Sequence, residues 1–216
     1  KGVTWAKNFQ NHFDVLPPSI YPKVRTQVLA TLAQLGVKFA LVDGTLRKND
    51  ENLLLVSEFS PTNGVVDDQP RPNQHAAMLW FLSDLTSLAT GGWFGYENPK
   101  PLIPAENIQR LTDGMAKTVV NAFPPETILD VGTTRDLGLM LGAVGWYGTH
   151  AGSDDLASMA AEYANALADA VAAEVADDGS VGLAAENRAA TQGAVGQGLA
   201  WASQVVDVDR RDLAED

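Results

Sequence analysis

Hydrophobic side chains recur every three or four positions along most of the chain, and this spacing predicts amphipathic helices. Prolines that suit a first helical turn and glycines or proline pairs that end a helix mark the boundaries. Together they predict helices over 22–36, 73–90, 105–123, 134–149, 153–176 and 186–206. A further helix is expected to begin near residue 210. Residues 1–19 show no periodicity and are expected to form an extended lead-in to one helical domain over 20–216.

The region before residue 58 has a different pattern. Two hydrophobic runs flank the dipeptide Asp43-Gly44, which is typical of tight turns, so a short β-hairpin is expected near 38–56. The alternative is that the preceding helix continues toward Asp43. Residues 58–72 are rich in Pro, Asn, Gly and Asp and are expected to form a loop. The predicted fold class is therefore mainly α, with a short β-hairpin.

Two kinds of helix alternate along the chain. One kind has a single apolar stripe and an acidic back, whereas the other is rich in Gly, Ala and Trp and only weakly amphipathic. The second kind is predicted over 73–90, 134–149 and 186–206. Its tetrapeptide Gly-Ala-Val-Gly occurs at 142–145 and again at 193–196. The two copies lie 51 positions apart. A repeat of that length indicates an imperfect array of helical hairpins.

Four glycines fall on one stripe of the helix predicted at 134–149: Gly138, Gly142, Gly145 and Gly148. Each costs about 1 kcal/mol of helix propensity relative to alanine, so close approach to a neighbouring helix is the expected compensation. A transmembrane glycine stripe is the alternative. We reject it because Arg135, Asp136 and His150 bracket a segment too short to span a bilayer.

The alternation of weakly amphipathic and amphipathic helices, at about 50–60 residues per pair, resembles the α/α-toroid class. Six-hairpin glycosidases and sugar-epimerase-like enzymes belong to that class. The resemblance covers about residues 20–216. It implies inner and outer helices, with a cleft where loops lead into the inner ones. A full toroid has about six hairpins and this chain supplies about three and a half, so a fragment of a larger toroid or an open array is expected.

The many acidic residues indicate a solvated protein surface and say little about a binding partner. The chain carries 27 Asp and Glu against 15 Lys and Arg, for a net charge of −12, and Asp outnumbers Glu by 18 to 9. The acids are dispersed, as in salt-adapted proteins whose self-repulsion is screened at high ionic strength. We therefore expect halophilic adaptation, the alternative being an ordinary acidic protein. The scarcity of basic residues argues against nucleic-acid binding.

Several chemistries are excluded or unsupported. The chain has no cysteine, so disulfides, Cys-based metal sites and a cysteine nucleophile are excluded. No His-x-x-x-His pair and no phosphate-binding loop motif is present, so we predict neither a metal nor a cofactor. No stretch has the length of a membrane span, and an extracytoplasmic location is favoured. The oligomeric state does not follow from the sequence.

The toroid resemblance places the cleft at loops 58–72, 128–133 and 177–185. Acids occur in or beside all three, and paired carboxylates are what glycoside hydrolysis requires. They are Glu58, Asp67, Asp68, Asp130, Asp136, Asp177, Asp178 and Glu186. Asp136 and Glu186 are the catalytic candidates among them, together with His75 one turn into an inner helix. The alternative for the acids is that they are solvated surface residues or stabilise helix starts, with Asn73 and Thr134 as the helix caps. The alternative for His75 is a structural role.

Two arginines and two aromatic residues are the candidates for substrate binding. Arg135 and Arg188 begin successive inner helices and could bind an anionic sugar, or pair with nearby acids. Trp146 and Tyr147 could stack on sugar rings, or simply close the end of the array. These residues leave open whether the chain is catalytic. The leading interpretation is a helical module of a salt-adapted protein with a scaffold or interaction role. The alternative is a carbohydrate-active toroid enzyme or a glycan-binding domain.

Overall fold

The computed structural model describes residues 32, 35–37, 45–49, 51–90, 103–181 and 187–207. In this part of the chain the protein is mainly helical. Its helices are α1 (Pro72–Thr90), α2 (Ala105–Ala122), α3 (Pro125–Val131), α4 (Thr134–Gly148), α5 (Asp154–Ala173) and α6 (Arg188–Ala202). Its strands are β1 (Leu46–Asn49), β2 (Asn52–Leu55), β3 (Glu58–Ser60) and β4 (Gly64–Asp67). The predicted fold class, mainly α with a short β-hairpin, is confirmed.

Five of the predicted helices are present as α1, α2, α4, α5 and α6, with ends close to those expected. Ser153 accepts a hydrogen bond from the Leu156 N–H and caps α5. Of the helix predicted over 22–36, only residues 32, 35 and 36 are described, and they are helical. The lead-in over 1–19 and the helix expected from residue 210 lie outside the described residues.

Two segments expected to be loops contain regular structure. Most of the 58–72 segment is a hairpin, β3–β4, whose turn uses Gly64 at a positive φ of 74°. The turn-forming composition concealed the short strands on either side of it. Residues 128–133, also expected to be a loop, include most of α3. That helix begins at Pro125. A proline can end the helix before it, but its φ is already helical, so it also suits the first turn of a new helix.

Hairpin β1–β2 is joined to the helices by helix side chains that accept hydrogen bonds from the outer edge of β2. The hairpin lies within the range expected, with Leu46 opposite Leu55, while the run over 38–42 lies outside the described residues. The N–H of Leu53 donates to Thr118 Oγ1 of α2 at 2.7 Å, and the N–H of Leu55 donates to His75 Nε2 of α1 at 3.0 Å. Both donors are thus satisfied by helix side chains.

The helices form two layers. The weakly amphipathic helices α1, α4 and α6 lie side by side with α4 in the middle, while α2 packs behind α1 and α5 packs behind α4. Burial explains why α4 lacks a polar face, since eleven of its fifteen residues are buried. No helix among the described residues is long and apolar enough to cross a membrane.

The glycine stripe of α4 brings its backbone against that of α6, as predicted. A Cβ placed on Gly138 would lie 2.7 Å from both N and Cα of Val195, and one on Gly145 would lie 2.6 Å from Cα of Ala202. In α6, a Cβ on Gly198 would collide with the carbonyl oxygen of Gly138. These contacts compensate for the poor helix propensity of glycine through close main-chain packing.

Candidate functional site

A cavity of about 550 Å³ opens where the β3–β4 hairpin meets the first turns of α1 and α4. Its wall is mostly polar and is formed by Ser57, Glu58, Asp67, Arg71, Pro72, Asn73, Gln74, Val131, Gly132, Thr133 and Asp136. Two of the three loops that were expected to form the cleft, 58–72 and 128–133, therefore line one cavity, which we call the mouth cavity. Of the third, the described residues Asp177 and Asp178 do not line it.

A β-bulge sets the backbones of Glu58 and Asp67 opposite each other at this cavity. Ser60 pairs with Gly64 and Phe59 with Val65, so regular pairing would place Val66 opposite Glu58. The register shifts there, Val66 is 53% exposed, and Asp67 takes the position opposite Glu58. Like charges directly opposite on neighbouring strands are unfavourable. Bulges often redirect side chains beside binding sites, and this one directs Asp67 to the cavity.

Asp136 lines the cavity but also holds the start of α4. Thr133, rather than the expected Thr134, is the N-cap, because its extended backbone lets its side chain accept from the Asp136 N–H. Asp136 Oδ2 in return accepts from the Thr133 N–H at 3.0 Å, which completes a capping box. Asn73, the other expected cap, lies inside α1, which begins one residue earlier. The carboxylate of Asp136 is therefore already engaged in hydrogen bonds.

Arg71 and Gln74 are cavity residues that sequence reasoning did not single out. Arg71 lies between two prolines, whose restricted backbones fix where it stands, and this is the signal that could have drawn attention to it. Its guanidinium lies 3.4 Å from Asp67 Oδ2. Gln74 donates from Nε2 to the Ser57 carbonyl at 3.0 Å, while its Oε1 is buried with no hydrogen-bond partner.

The carboxylate of Asp67 is held ionised by its surroundings. The backbone N–H of Gln69 donates to Asp67 Oδ1 at 2.9 Å and is the chief cause of a pKa below the ordinary value of 3.8. Arg71 lowers the pKa of Asp67 further, both by hydrogen bonding and by its charge. The cavity wall therefore keeps a fixed negative charge at neutral pH.

His75 follows the cavity residue Gln74 in α1 and is fully buried. Because the Leu55 N–H can only donate and the Arg71 carbonyl can only accept, Nε2 is the acceptor and Nδ1 carries the proton, 2.7 Å from that carbonyl. Its ring packs on Phe123 at 4.7 Å between centroids. Burial lowers the pKa of His75 from its ordinary value of 6.5. This geometry is that of a neutral, structural histidine joining β2 to α1.

The free energy of unfolding should fall as the pH drops below 6.5. There the unfolded chain protonates His75 while the folded chain does not, so acid favours unfolding. One such proton gives a slope of at most about 1.4 kcal/mol per pH unit. Urea unfolding of the wild type and His75→Gln between pH 5 and 7.5 measures this slope. An unchanged slope in the variant would show that another group causes the dependence.

The other predicted polar residues are spread out. Arg135 is exposed and does not line the cavity, although it neighbours Asp136. Arg188 is exposed at the start of α6, where it interacts electrostatically with Asp178. Glu186 lies outside the described residues. The two arginines therefore do not join the mouth cavity in the structure.

Trp146 and Tyr147 lie at the far end of α4, about 15 Å along the helix axis from Asp136. Trp146 is partly buried, donates from Nε1 to Asp84 Oδ1 at 2.9 Å and packs against Trp201 at 4.7 Å. Tyr147 is fully buried and donates to Asp113 Oδ1 at 2.8 Å. Burial, and then Asp113, raises the pKa of Tyr147. The structure therefore separates both aromatic candidates from the cavity.

The cavity offers hydrogen-bond acceptors and charge rather than a metal centre. Among the described residues, no group of three or more His, Asp and Glu side chains could hold a metal ion. Carboxylate, amide and hydroxyl oxygens dominate the wall, and Arg71 is its cation. Such a wall suits a ligand with many hydrogen-bond donors. No family model, no curated protein and no solved structure matches this chain.

Proposed function

We propose that this chain is a helical-hairpin module that binds a hydroxyl-rich ligand, of the carbohydrate class, in the mouth cavity. The observation that carries the proposal is the cavity of about 550 Å³ with its oxygen-rich wall. Sugar hydroxyls would donate to the carboxylates of Glu58 and Asp67.

We propose further that the helices form part of an α/α toroid, the class that the sequence resembles. Two features support it: α1, α4 and α6 are consecutive neighbours with α2 and α5 behind them, and the segments leading into α1 and α4 meet at one cavity. In a toroid the ligand cleft lies at that same place. The proposed role is recognition rather than hydrolysis, because Asp136 is engaged in a helix cap and Asp67 is paired with Arg71.

Filling the cavity should abolish glycan binding. Asn73 is exposed at the cavity wall, so Asn73→Trp would occupy the ligand volume without touching the core. Ala77→Trp is the matched control, since Ala77 is exposed one turn later on α1 and does not line the cavity. Titration calorimetry with a panel of neutral oligosaccharides should show binding by the wild type and Ala77→Trp, and at least about tenfold weaker binding by Asn73→Trp.

Equal affinities of the two tryptophan variants would place the ligand elsewhere on the molecule. No binding by the wild type to any member of the panel would overturn the proposal. That result would leave the second candidate function, a scaffold or interaction role.

One exposed face of α6 favours the second candidate function, a scaffold or interaction role. In a chain of net charge −12, that exposed face carries no charged side chain between the ends of the helix. It consists of Ala189, Gln192, Gly193, Gly196, Gln197 and Ala200. A Cβ on Gly193 or Gly196 would meet no atom of another described residue within 4 Å, whereas the same tetrapeptide in α4 packs its glycines closely. Such a face would let another helix approach.

A further inference from the structure

The turn of the β3–β4 hairpin contains an Asn-Gly pair. Asn63 is the only asparagine of the chain that a glycine follows, and that glycine is Gly64. Ser60 pairs with Gly64, so Asn63 is the last residue of the turn between the two strands. Gly64 has a positive φ of 74°, which glycine adopts without steric cost. Asn63 is exposed, so the pair lies at the solvent-facing tip of the hairpin.

The carboxamide of Asn63 is not held by the fold. The backbone N–H groups of Thr62 and Asn63 donate to Ser60 Oγ at 3.3 and 3.2 Å and close the turn. In the described part of the chain, no hydrogen bond engages the Asn63 side chain, whereas that of Asn187 caps α6. A Cβ built on Gly64 would meet no atom of a described residue within 4 Å, apart from its chain neighbours. The carboxamide and the Gly64 nitrogen therefore have open space around them.

We infer that Asn63 is a site of spontaneous deamidation, at which the hairpin turn is converted to isoaspartate or aspartate. The backbone nitrogen of Gly64 attacks Cγ of Asn63 and closes a succinimide ring. The carboxamide nitrogen leaves as ammonia and takes the proton of the Gly64 nitrogen with it. Water then opens the ring, giving aspartate where the bond from Cγ to nitrogen breaks and isoaspartate where the main-chain carbonyl is released. Glycine favours the ring closure because no side chain hinders its nitrogen.

Either product changes the hairpin beside the mouth cavity. Both products add a carboxylate to a hairpin that already carries Glu58 and Asp67. Isoaspartate also carries the main chain through Cβ of residue 63, which lengthens the backbone next to the Ser60–Gly64 pair. Turn geometry sets strand register, so isoaspartate should loosen the part of the cavity wall that this hairpin forms. This reactivity is independent of whether the cavity binds a glycan.

Incubation of the folded chain in water enriched in oxygen-18, at pH 8 and 37 °C, tests the inference. Hydrolysis of the succinimide adds a heavy oxygen to the converted residue, and peptide mapping after digestion at acidic pH locates it. Electron-transfer fragmentation distinguishes isoaspartate from aspartate. The label should accumulate at Asn63 at least about tenfold faster than at any other asparagine, because the others lack a following glycine.

Asn63→Gln should abolish the label in this peptide, because a larger ring closes more slowly. Asn121→Gln is the matched control, since it makes the same change at an exposed asparagine of α2 that alanine follows, and it should leave the label at Asn63 unchanged. Circular dichroism verifies that both variants fold.

The chain unfolded in guanidinium chloride supplies the reference rate. The rate in the folded chain should stay within about tenfold of it, because an exposed turn reacts without global unfolding. A stronger retardation in the folded chain would show that the turn protects Asn63, and would overturn the inference. Labelling of Asn63 no faster than that of the other asparagines would overturn it as well.

Discussion

Gly145→Ala should destabilise the protein by about 2 kcal/mol, although alanine is the better helix former. The new methyl group would lie 2.6 Å from Cα and 2.7 Å from N of Ala202, both main-chain atoms of α6. A side chain could rotate away, but a helix backbone must shift as a whole. Overpacking of this kind costs about 1–3 kcal/mol or more, against a gain of about 1 kcal/mol in helix propensity. Urea unfolding at neutral pH measures the difference.

The matched control is Gly196→Ala, at the same place in the repeated tetrapeptide. In the part of the chain that the structure describes, no residue from outside the helix lies within 4 Å of a Cβ at that position, so the gain in helix propensity should stabilise the protein by about 0.5–1 kcal/mol. The opposite signs of the two substitutions are the signature of the α4–α6 contact. If Gly145→Ala proved neutral or stabilising, the two backbones would not be in contact.

Asp113→Ala should cost about 3 kcal/mol, because one carboxylate satisfies several donors at the far end of the array. Its Oδ1 accepts from Tyr147 Oη at 2.8 Å, from Gln109 Nε2 at 3.0 Å and from the Gly152 N–H at 3.2 Å. These bonds join α2 to the α4–α5 connection. Removing the carboxylate leaves the buried hydroxyl of Tyr147 without its partner.

A double-mutant cycle with Tyr147→Phe isolates that contribution. If the hydrogen bond contributes, Asp113→Ala should cost about 1 kcal/mol less in the Tyr147→Phe background than in the wild type. Strictly additive effects would show that Asp113 acts through Gln109 and Gly152 alone. Thermal and urea unfolding of all four proteins provide the measurement.

The sequence predicts the helices well because their signals are local. Apolar spacing, a proline at a first turn and a cap such as Ser153 each act within a few residues. The glycine stripe also predicts its own use, since four costly glycines on one face require close packing. Short elements are harder to predict: α3 and the β3–β4 hairpin hold too few residues to show a period, and their prolines and glycines resemble those of loops.

The candidate site is only partly predictable for a different reason. Glu58, Asp67 and Asp136 are recognisable as acids in or beside the loops that lead into the predicted inner helices. Their convergence, however, depends on tertiary packing and on a bulge that no residue type indicates. Arg135 appeared equivalent to them by position along a helix, yet its rotation about the α4 axis takes it away from the cavity wall. Proximity in sequence to a helix start therefore does not fix which side chains face the cavity.

The way β2 meets the helices also limits how the small sheet can grow. Strand edges with unused N–H groups are where other extended chains add on. Here the N–H groups of Leu53 and Leu55 are taken by Thr118 and His75, which a third strand would have to displace. The helices thus protect this edge from intermolecular β-pairing, and the two side chains responsible guard against aggregation as well as joining sheet to helix.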